Sequence, residues 1–283
     1  MKIFPFKIPK PKEDTLIFQE IKEIQFYGKL HQHEEIQISF IANGEGNILV
    51  GDTITSFQKG NIIVLGSNLP HVFRSEVNSN ELSHMISLFF TIDAYGSNFF
   101  NLPEFKKLES FFISTKNGFQ IENISQKTIN QFKKLKKANE FDRFILFFKI
   151  LKNICHHDKK PLSNFVYNKP LTDTEGKRMQ VVIDYVMSNY HREISLEEIA
   201  ALSNMTKNAF CRYFKSRTNK TLFQFLIEIR VERASKLLLK NQELSVIEIA
   251  ELSGFNNISN FNRKFKELKK LSPLQYRKLN NYK

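Results

Sequence analysis

A nine-residue pattern occurs twice near the C-terminus of this 283-residue chain, as Ser195-Leu-Glu-Glu-Ile-Ala-Ala-Leu-Ser203 and again as Ser245-Val-Ile-Glu-Ile-Ala-Glu-Leu-Ser253. Repetition of this kind means one supersecondary unit used twice, so both copies must satisfy the same local fold. Each opens with Ser-x-x-Glu, the capping-box spacing that satisfies orphan amides at a helix start. Ile199, Ala200 and Leu202, matched by Ile249, Ala250 and Leu252, supply a packing face, and the small Ala lets a second helix come close. Beyond Ser203-Asn204-Met205 and Ser253-Gly254-Phe255, apolar residues return four apart: Phe210 with Phe214, and Phe261 with Phe265. The unit reads as a helix-turn-helix whose second helix buries its phenylalanines.

With that inner face fixed, the second helix of the first copy points Asn208, Cys211, Arg212 and Lys215 outward. In the second copy Ser259, Asn260, Arg263 and Lys266 take the outward positions. Arg can address guanine O6 and N7 and Asn adenine N6 and N7 in a major groove, so these residue types on this face suit double-stranded DNA as a partner. Two helical hairpins with ordinary polar surfaces are the plainer reading, which tandem occurrence with basic fronts disfavours. A connecting helix from Thr221 to about Leu239 would be about 28 Å long. It could hold two readers near the ~34 Å spacing of successive major-groove faces. Its apolar stripe is read as Phe223, Leu226, Ile227, Val231, Ala234, Leu237 and Leu238, with Arg230 a structural residue paired to a carboxylate.

Charge follows the repeat. The formal net charge is +13; residues 161–283 carry 21 Lys and Arg against 12 Asp and Glu, whereas 1–160 carry 21 against 17. Such a bias suits a polyanion, although a basic face can also be merely solvated. The two cysteines, Cys155 and Cys211, form no ligand cluster, so neither a disulfide framework nor a zinc finger is expected. Three prolines interrupt the N-terminus and the apolar run Phe144–Leu151 is too short to span a bilayer. The expectation is a cytoplasmic protein without a membrane partner.

The sequence divides into a basic arm (1–15), a β-rich domain with helices at its end (16–157), a polar, proline-containing linker (158–175) and an all-α domain with two helix-turn-helix motifs joined by a long helix (176–283). Glu35–Ile41, Gly46–Val50 and Asn61–Leu65 read as short strands of a sandwich or barrel. Residues 102–155 read as helical. The segment Glu140–Cys155 spreads apolar side chains around most of its circumference, so it is either enclosed in its own domain or a contact in a homodimer.

From about Gly176 to Tyr282 the chain resembles the AraC/XylS family of bacterial transcription regulators. The likeness rests on the Ile-Ala cores of both repeats, Arg230 with Glu232-Arg-Ala-Ser-Lys-Leu-Leu238, Ile249-Ala-Glu-Leu-Ser-Gly-Phe255, Phe261-Asn-Arg-Lys-Phe-Lys266 and Ser272-Pro-Leu-Gln-Tyr-Arg277. The resemblance implies two recognition helices in consecutive major-groove segments, read by Asn208, Cys211 and Arg212 and by Ser259, Asn260 and Arg263. It further implies a homodimer through 140–155, RNA polymerase as a further partner and action as an activator. Two departures stand out. Asn219 and Lys270 occupy positions where the family commonly has Gly, and the turn at Lys270 is expected to differ. The second turn is also one residue longer, through Asn256-Asn257.

Gly28-Lys-Leu-His31-Gln-His33, with Gly44, Gly60 and Pro70-His71, resembles the cupin pattern that members of this family carry as an effector-binding domain. Gln37 stands where metal-binding cupins place Glu. Three readings of His31, His33, Gln37 and His71 stay open: a metal site, polar lining of a small-molecule pocket, or histidines satisfied by backbone groups. No metal or cofactor is assigned. The function expected is a DNA-binding regulator controlled by a small-molecule effector; a metal-dependent cupin enzyme with an appended helical domain, and a regulator that needs no ligand, are the alternatives.

Overall fold

The protein is described from a computed structural model, in which residues 14–76, 81–164 and 171–280 are described. The basic arm therefore lies almost wholly outside the described residues. The chain divides into two compact units, 1–176 and 177–283.

The first unit is built on two antiparallel sheets. Its strands are β1 (Ile17–Glu23), β2 (Ile36–Asn43), β3 (Gly46–Val50), β4 (Thr53–Phe57), β5 (Ile62–Leu65), β6 (His71–Ser75), β7 (Ser83–Phe90), β8 (Phe119–Ile121) and β9 (Lys160–Pro161). One sheet has the order β1-β7-β2-β5-β8-β9 and the other β4-β3-β6. Strand pairing among the described residues stops short of a closed barrel: outside the two sheets only the bridge between His31 and His71 links the strand-forming segments. Helices α1 (Glu109–Thr115), α2 (Gln126–Lys134) and α3 (Glu140–Ile154) pack on the larger sheet.

Successive strand residues face opposite ways, so a central strand covered on both sides sends alternate side chains to two cores. In β2, Ile36, Ile38 and Phe40 join Ile62 and Val64 of β5 and Ile86, Leu88 and Phe90 of β7 against Phe111, Phe132 and Phe147 of the helices. Ile41, Ile63, Leu65 and Met85 face the other way, into a core shared with Ile48, Val50 and Phe73 of the small sheet. Gln37, Ser39 and Ser87 occupy this second face and are buried with it.

Three sequence expectations change here. The 102–155 segment is not helical throughout, because β8 interrupts it and extends the sheet beside β5. The linker begins later than read: Leu162 is buried in the second core, and Ser163 is tied by its hydroxyl to Asp52 Oδ1 (2.8 Å) and by its carbonyl to Asn117 Nδ2 (2.9 Å). The α3 helix buries Phe147, Ile150, Leu151 and Ile154, while Phe141 is 72 % exposed.

The second unit follows α4 (Asp173–Asn189), which straddles the boundary, with α5 (Leu196–Leu202), α6 (Lys207–Thr218), α7 (Leu222–Lys240), α8 (Val246–Leu252), α9 (Ile258–Lys269) and α10 (Pro273–Asn280). Helix α7 serves both repeats in turn. Leu222, Phe225, Leu226 and Ile229 are buried in its first half, where Phe225 meets Phe214 of α6 edge-on at 5.8 Å between centroids. Val231, Ala234, Leu237 and Leu238 in its second half pack with Ile249, Ala250, Phe261 and Phe265. The stripe thus begins at Leu222 and Phe225 rather than at Phe223, which is 47 % exposed.

Arg230, at the middle of α7, has main-chain rather than carboxylate partners. Its Nε donates to the Tyr190 carbonyl (2.7 Å) and its Nη2 to the Arg192 carbonyl (2.8 Å), both in the loop joining α4 to α5. The guanidinium also lies 6.0 Å from the Phe255 ring centroid. Burial pulls its pKa below the usual Arg value, and the nearby Glu193 charge works against that shift. Against the same loop packs Gly254, in the turn between α8 and α9, at φ +89°; a Cβ there would lie 2.5 Å from the Tyr190 carbonyl oxygen and 2.8 Å from Arg230 Nε. No other residue type fits that approach. One loop of the first repeat, the middle of α7 and the turn of the second repeat are therefore joined at one point.

Both second helices end alike. Asn219 (φ 54°) and Lys270 (φ 63°) adopt the left-handed conformation, and their amides donate to Lys215 O and Lys266 O at 2.9 Å. The turn at Lys270 is thus unchanged, and Lys bears the steric cost of a conformation that Gly adopts freely and Asn tolerates. Lys270→Gly is expected to stabilise the chain by about 1 kcal/mol, and Asn219→Gly by less, in chemical denaturation followed by far-UV circular dichroism. Arg230→Met, which keeps the apolar stem and deletes both hydrogen bonds, is expected to cost about 2 kcal/mol in the same measurement.

Candidate nucleic-acid interface

Each repeat sets its second helix by the same local devices. Ser203 N and Ser253 N donate to Ile199 O and Ile249 O, and Met205 N and Phe255 N fold back to Ala200 O and Ala250 O at 2.9 Å. Positive φ at Asn204 (53°) and Gly254 turns the chain into the next helix. Thr206 caps α6 by accepting from Ala209 N, and Asn257 caps α9 by accepting from Asn260 N (2.9 Å).

The first helices are capped differently despite their common Ser-x-x-Glu. Ser245 and Glu248 form the complete reciprocal box. In the other copy Ser195 accepts from Glu198 N, but the Glu198 carboxylate binds Arg192 (2.7 Å) and Tyr185. The Arg192 guanidinium, followed by the Tyr185 hydroxyl, holds the Glu198 carboxyl down at about 2, against an ordinary 4.5.

Asn208, Cys211, Arg212 and Lys215 on α6 are exposed, as are Ser259, Asn260, Arg263 and Lys266 on α9, with Phe210, Phe214, Phe261 and Phe265 buried behind them. Helix α6 holds Lys207, Arg212, Lys215 and Arg217 and no acidic residue. Helix α9 holds four basic residues and one acid, Glu267, which pairs with Lys264 at 2.8 Å. On the outer face Arg263 Nη2 donates to Asn260 Oδ1 (2.9 Å), presetting the guanidinium.

Counting from the caps, Thr206 and Asn257, brings Asn208 onto Ser259, Cys211 onto Asn262, Arg212 onto Arg263 and Lys215 onto Lys266. Asn260 then corresponds to Ala209, and exposed Asn262, which the sequence reading passed over, is the counterpart of Cys211. The signal was available: the extra residue lies before the cap, so the offset belongs to the turn and not to the helix.

In the first unit His31, His33, Gln37 and His71 come together, at 8 %, 4 %, 4 % and 0 % exposure. Each imidazole Nδ1 faces a main-chain carbonyl: Lys29 O for His31 (2.8 Å), Glu35 O for His33 (2.9 Å) and Leu69 O for His71 (2.9 Å). His33 Nε2 lies 2.9 Å from Gln37 Oε1, and Gln37 Nε2 continues through Ser39 Oγ (2.7 Å) to Ser87 Oγ (2.7 Å). A cleft of about 530 Å³ opens elsewhere in this unit, lined by Glu34, Ile36, Asn68, Thr91, Phe112 and Lys116 among others.

A helix-turn-helix domain family matches residues 199–279. An uncharacterized HTH-type transcriptional regulator, YdeC of Bacillus subtilis, is 34 % identical over 107 residues, 38 % of this chain and 36 % of that protein. The chain thus spans little more than a third of that relative's length. The HTH-type transcriptional activator RhaR of Mannheimia succiniciproducens is 24 % identical over 271 residues, 94 % of this chain and 92 % of that protein. Among solved structures, the DNA-binding domain of AdpA in complex with a target DNA is 29 % identical, covering 38 % of this chain and 93 % of that one with a TM-score of 0.34. Residues 199–279 thus match a helix-turn-helix domain family, and the two capped helix-turn-helix units, their sequence motifs and the curated relatives support a helix-turn-helix transcription regulator of the AraC type.

Proposed function

We propose that α6 and α9 read two successive major-groove segments of a promoter, with Asn208, Cys211 and Arg212 on one helix and Ser259, Arg263 and Asn262 on the other addressing bases. The observation that carries this reading is the pair of outward faces, each basic, each backed by buried phenylalanines. Lys215 and Lys266, at the far ends, are assigned to phosphates. Asn260 is assigned to orienting Arg263 through their hydrogen bond. Because the outward residues differ, one chain reads an asymmetric site, and palindromy would come from a second chain.

The first unit is read as the regulatory half. The 530 Å³ cleft is in the size range of small-molecule sites, which supports an effector bound there rather than among the histidines. A homodimer through 140–155 is supported by exposed Phe141 at the start of α3. RhaR's name as an activator supports activation, and with it contact with RNA polymerase. Relatives named as regulators support a regulator over an enzyme. Among the described residues no helix is long and apolar enough to cross a membrane.

Fluorescence anisotropy on a selected target duplex and on random duplex tests the assignments. Arg263→Ala is expected to cost about 1–3 kcal/mol on the target and relax specificity at one position, and Asn262→Ala to relax an adjacent one. Lys266→Ala is expected to weaken both duplexes alike and lower the salt slope by about one. Equal losses on target and random DNA for Arg263→Ala and Asn262→Ala would remove both from the base-reading set.

A further inference from the structure

We propose that the lysine-lined groove between α2 and α3 of the first unit binds the phosphate backbone of duplex DNA flanking the segment read by α6 and α9. The proposal rests on the DNA-binding reading for its partner and extends it to a second surface. Charge in this unit is segregated. Residues 126–154 carry eight Lys and Arg against two Asp and Glu, whereas the rest of 1–160 carries thirteen against fifteen. One helical pair therefore holds all of the unit's positive excess, and the remainder is slightly acidic.

The groove is a pair of adjoining clefts of about 780 and 610 Å³ that share Lys134 and Lys149. Lys127 and Lys152 complete the basic lining of the first, and Lys133 and Lys137 that of the second. Phe132 and Leu135 are buried under them, which leaves all six lysines exposed to solvent. Asn153 Nδ2 donates to Gln131 Oε1 (2.8 Å) and ties the two helices together within the first cleft. From Lys127 to Lys137 the lining runs for about 15 Å.

Among the described residues none of these six lysines makes an ion pair, whereas Lys136 beside them pairs with Glu20 (2.8 Å). The one carboxylate among the described lining residues, Asp142, accepts from Asn139 Nδ2 (2.8 Å) in the cap of α3. Lys133 and Lys137 stand four apart and Lys149 and Lys152 three, spacings at which like charges repel. A polyanion relieves that repulsion and releases its own counterions. The lining also selects among polyanions. Among the described residues no aromatic side chain and no arginine lines either cleft, so neither base stacking nor bidentate recognition is offered. Protein interfaces are depleted of Lys, which argues against an acidic protein partner. A second copy seated by two-fold symmetry would set lysine against lysine. Point charges in a row suit a duplex backbone contacted without regard to sequence.

The test uses the full-length chain and fluorescence anisotropy over a series of salt concentrations. The probes are a core target duplex of about 20 base pairs and the same duplex extended by about 20 base pairs on each side. The unaltered chain is expected to bind the extended duplex at least about tenfold more tightly than the core at low salt. The triple change Lys134→Gln/Lys149→Gln/Lys152→Gln is expected to remove most of that gain and to lower the salt slope on the extended duplex by about two to three. Its affinity for the core duplex is expected to stay unchanged, which also shows that the variant is folded. Lys134→Arg/Lys149→Arg/Lys152→Arg is expected to retain the gain, because charge rather than side-chain shape is read. Lys59→Gln/Lys106→Gln/Lys107→Gln, which neutralises three exposed lysines outside the groove, is expected to leave both duplexes unaffected. A gain undiminished in the groove triple, or lost equally in the Lys59, Lys106 and Lys107 triple, overturns the proposal. Equal binding of core and extended duplex by the unaltered chain overturns it also, while base reading by α6 and α9 stands. Base reading fails separately, through equal losses on target and random DNA in Arg263→Ala, an outcome that leaves the extension gain in place.

Discussion

The helix-turn-helix unit depends on one guanidinium. Two helix-turn-helix units threaded on a 19-residue helix could swivel about it, because each buries its own phenylalanines and neither needs the other for a core. Arg230 removes that freedom by donating to two carbonyls of the loop before α5 while its stem belongs to α7. Gly254 brings the second turn against the same loop at a distance no Cβ allows. A planar cation suits this place because it can address two main-chain oxygens at once and still stack toward Phe255, which an ammonium group could not do.

The first unit has a comparable constraint in the alternation of β2. Its even-numbered residues Ile36, Ile38 and Phe40 feed the core under the helices, and its odd-numbered residues Gln37 and Ser39 face inward with the histidines. A polar ladder and a phenylalanine-rich core are thus carried by opposite faces of one strand. Phe40, three residues on from Gln37, meets the Phe132 ring at 5.3 Å between centroids.

Much of this was legible in the sequence, for reasons that separate local from distant effects. The repeats, caps and inward phenylalanines follow from spacing within a dozen residues, and local spacing is what a helix reads. Arg230 was recognisable as structural, but its partners lie 38 and 40 residues away and are carbonyls, which no side-chain pattern announces. The strand β8, three residues long between helices, gains its identity only from pairing with β5. Ser195 and Glu198 matched a capping box by spacing, yet Arg192 draws the carboxylate away. The histidines were visible one by one. Their meeting depends on the bridge between His31 and His71, forty residues apart in the chain.

The longer turn before α9 also bears on any attempt to retarget the protein by grafting. An engineer who transplanted the outward residues of α6 onto α9 by counting from Ser203 and Ser253 would place every side chain one position early. One position on a helix is about 100° of rotation, enough to carry a graft from the groove to the flank. Counting from Thr206 and Asn257 avoids the error, because the extra residue is used up before the helix begins. The two readers can exchange faces, but only if each keeps its own turn.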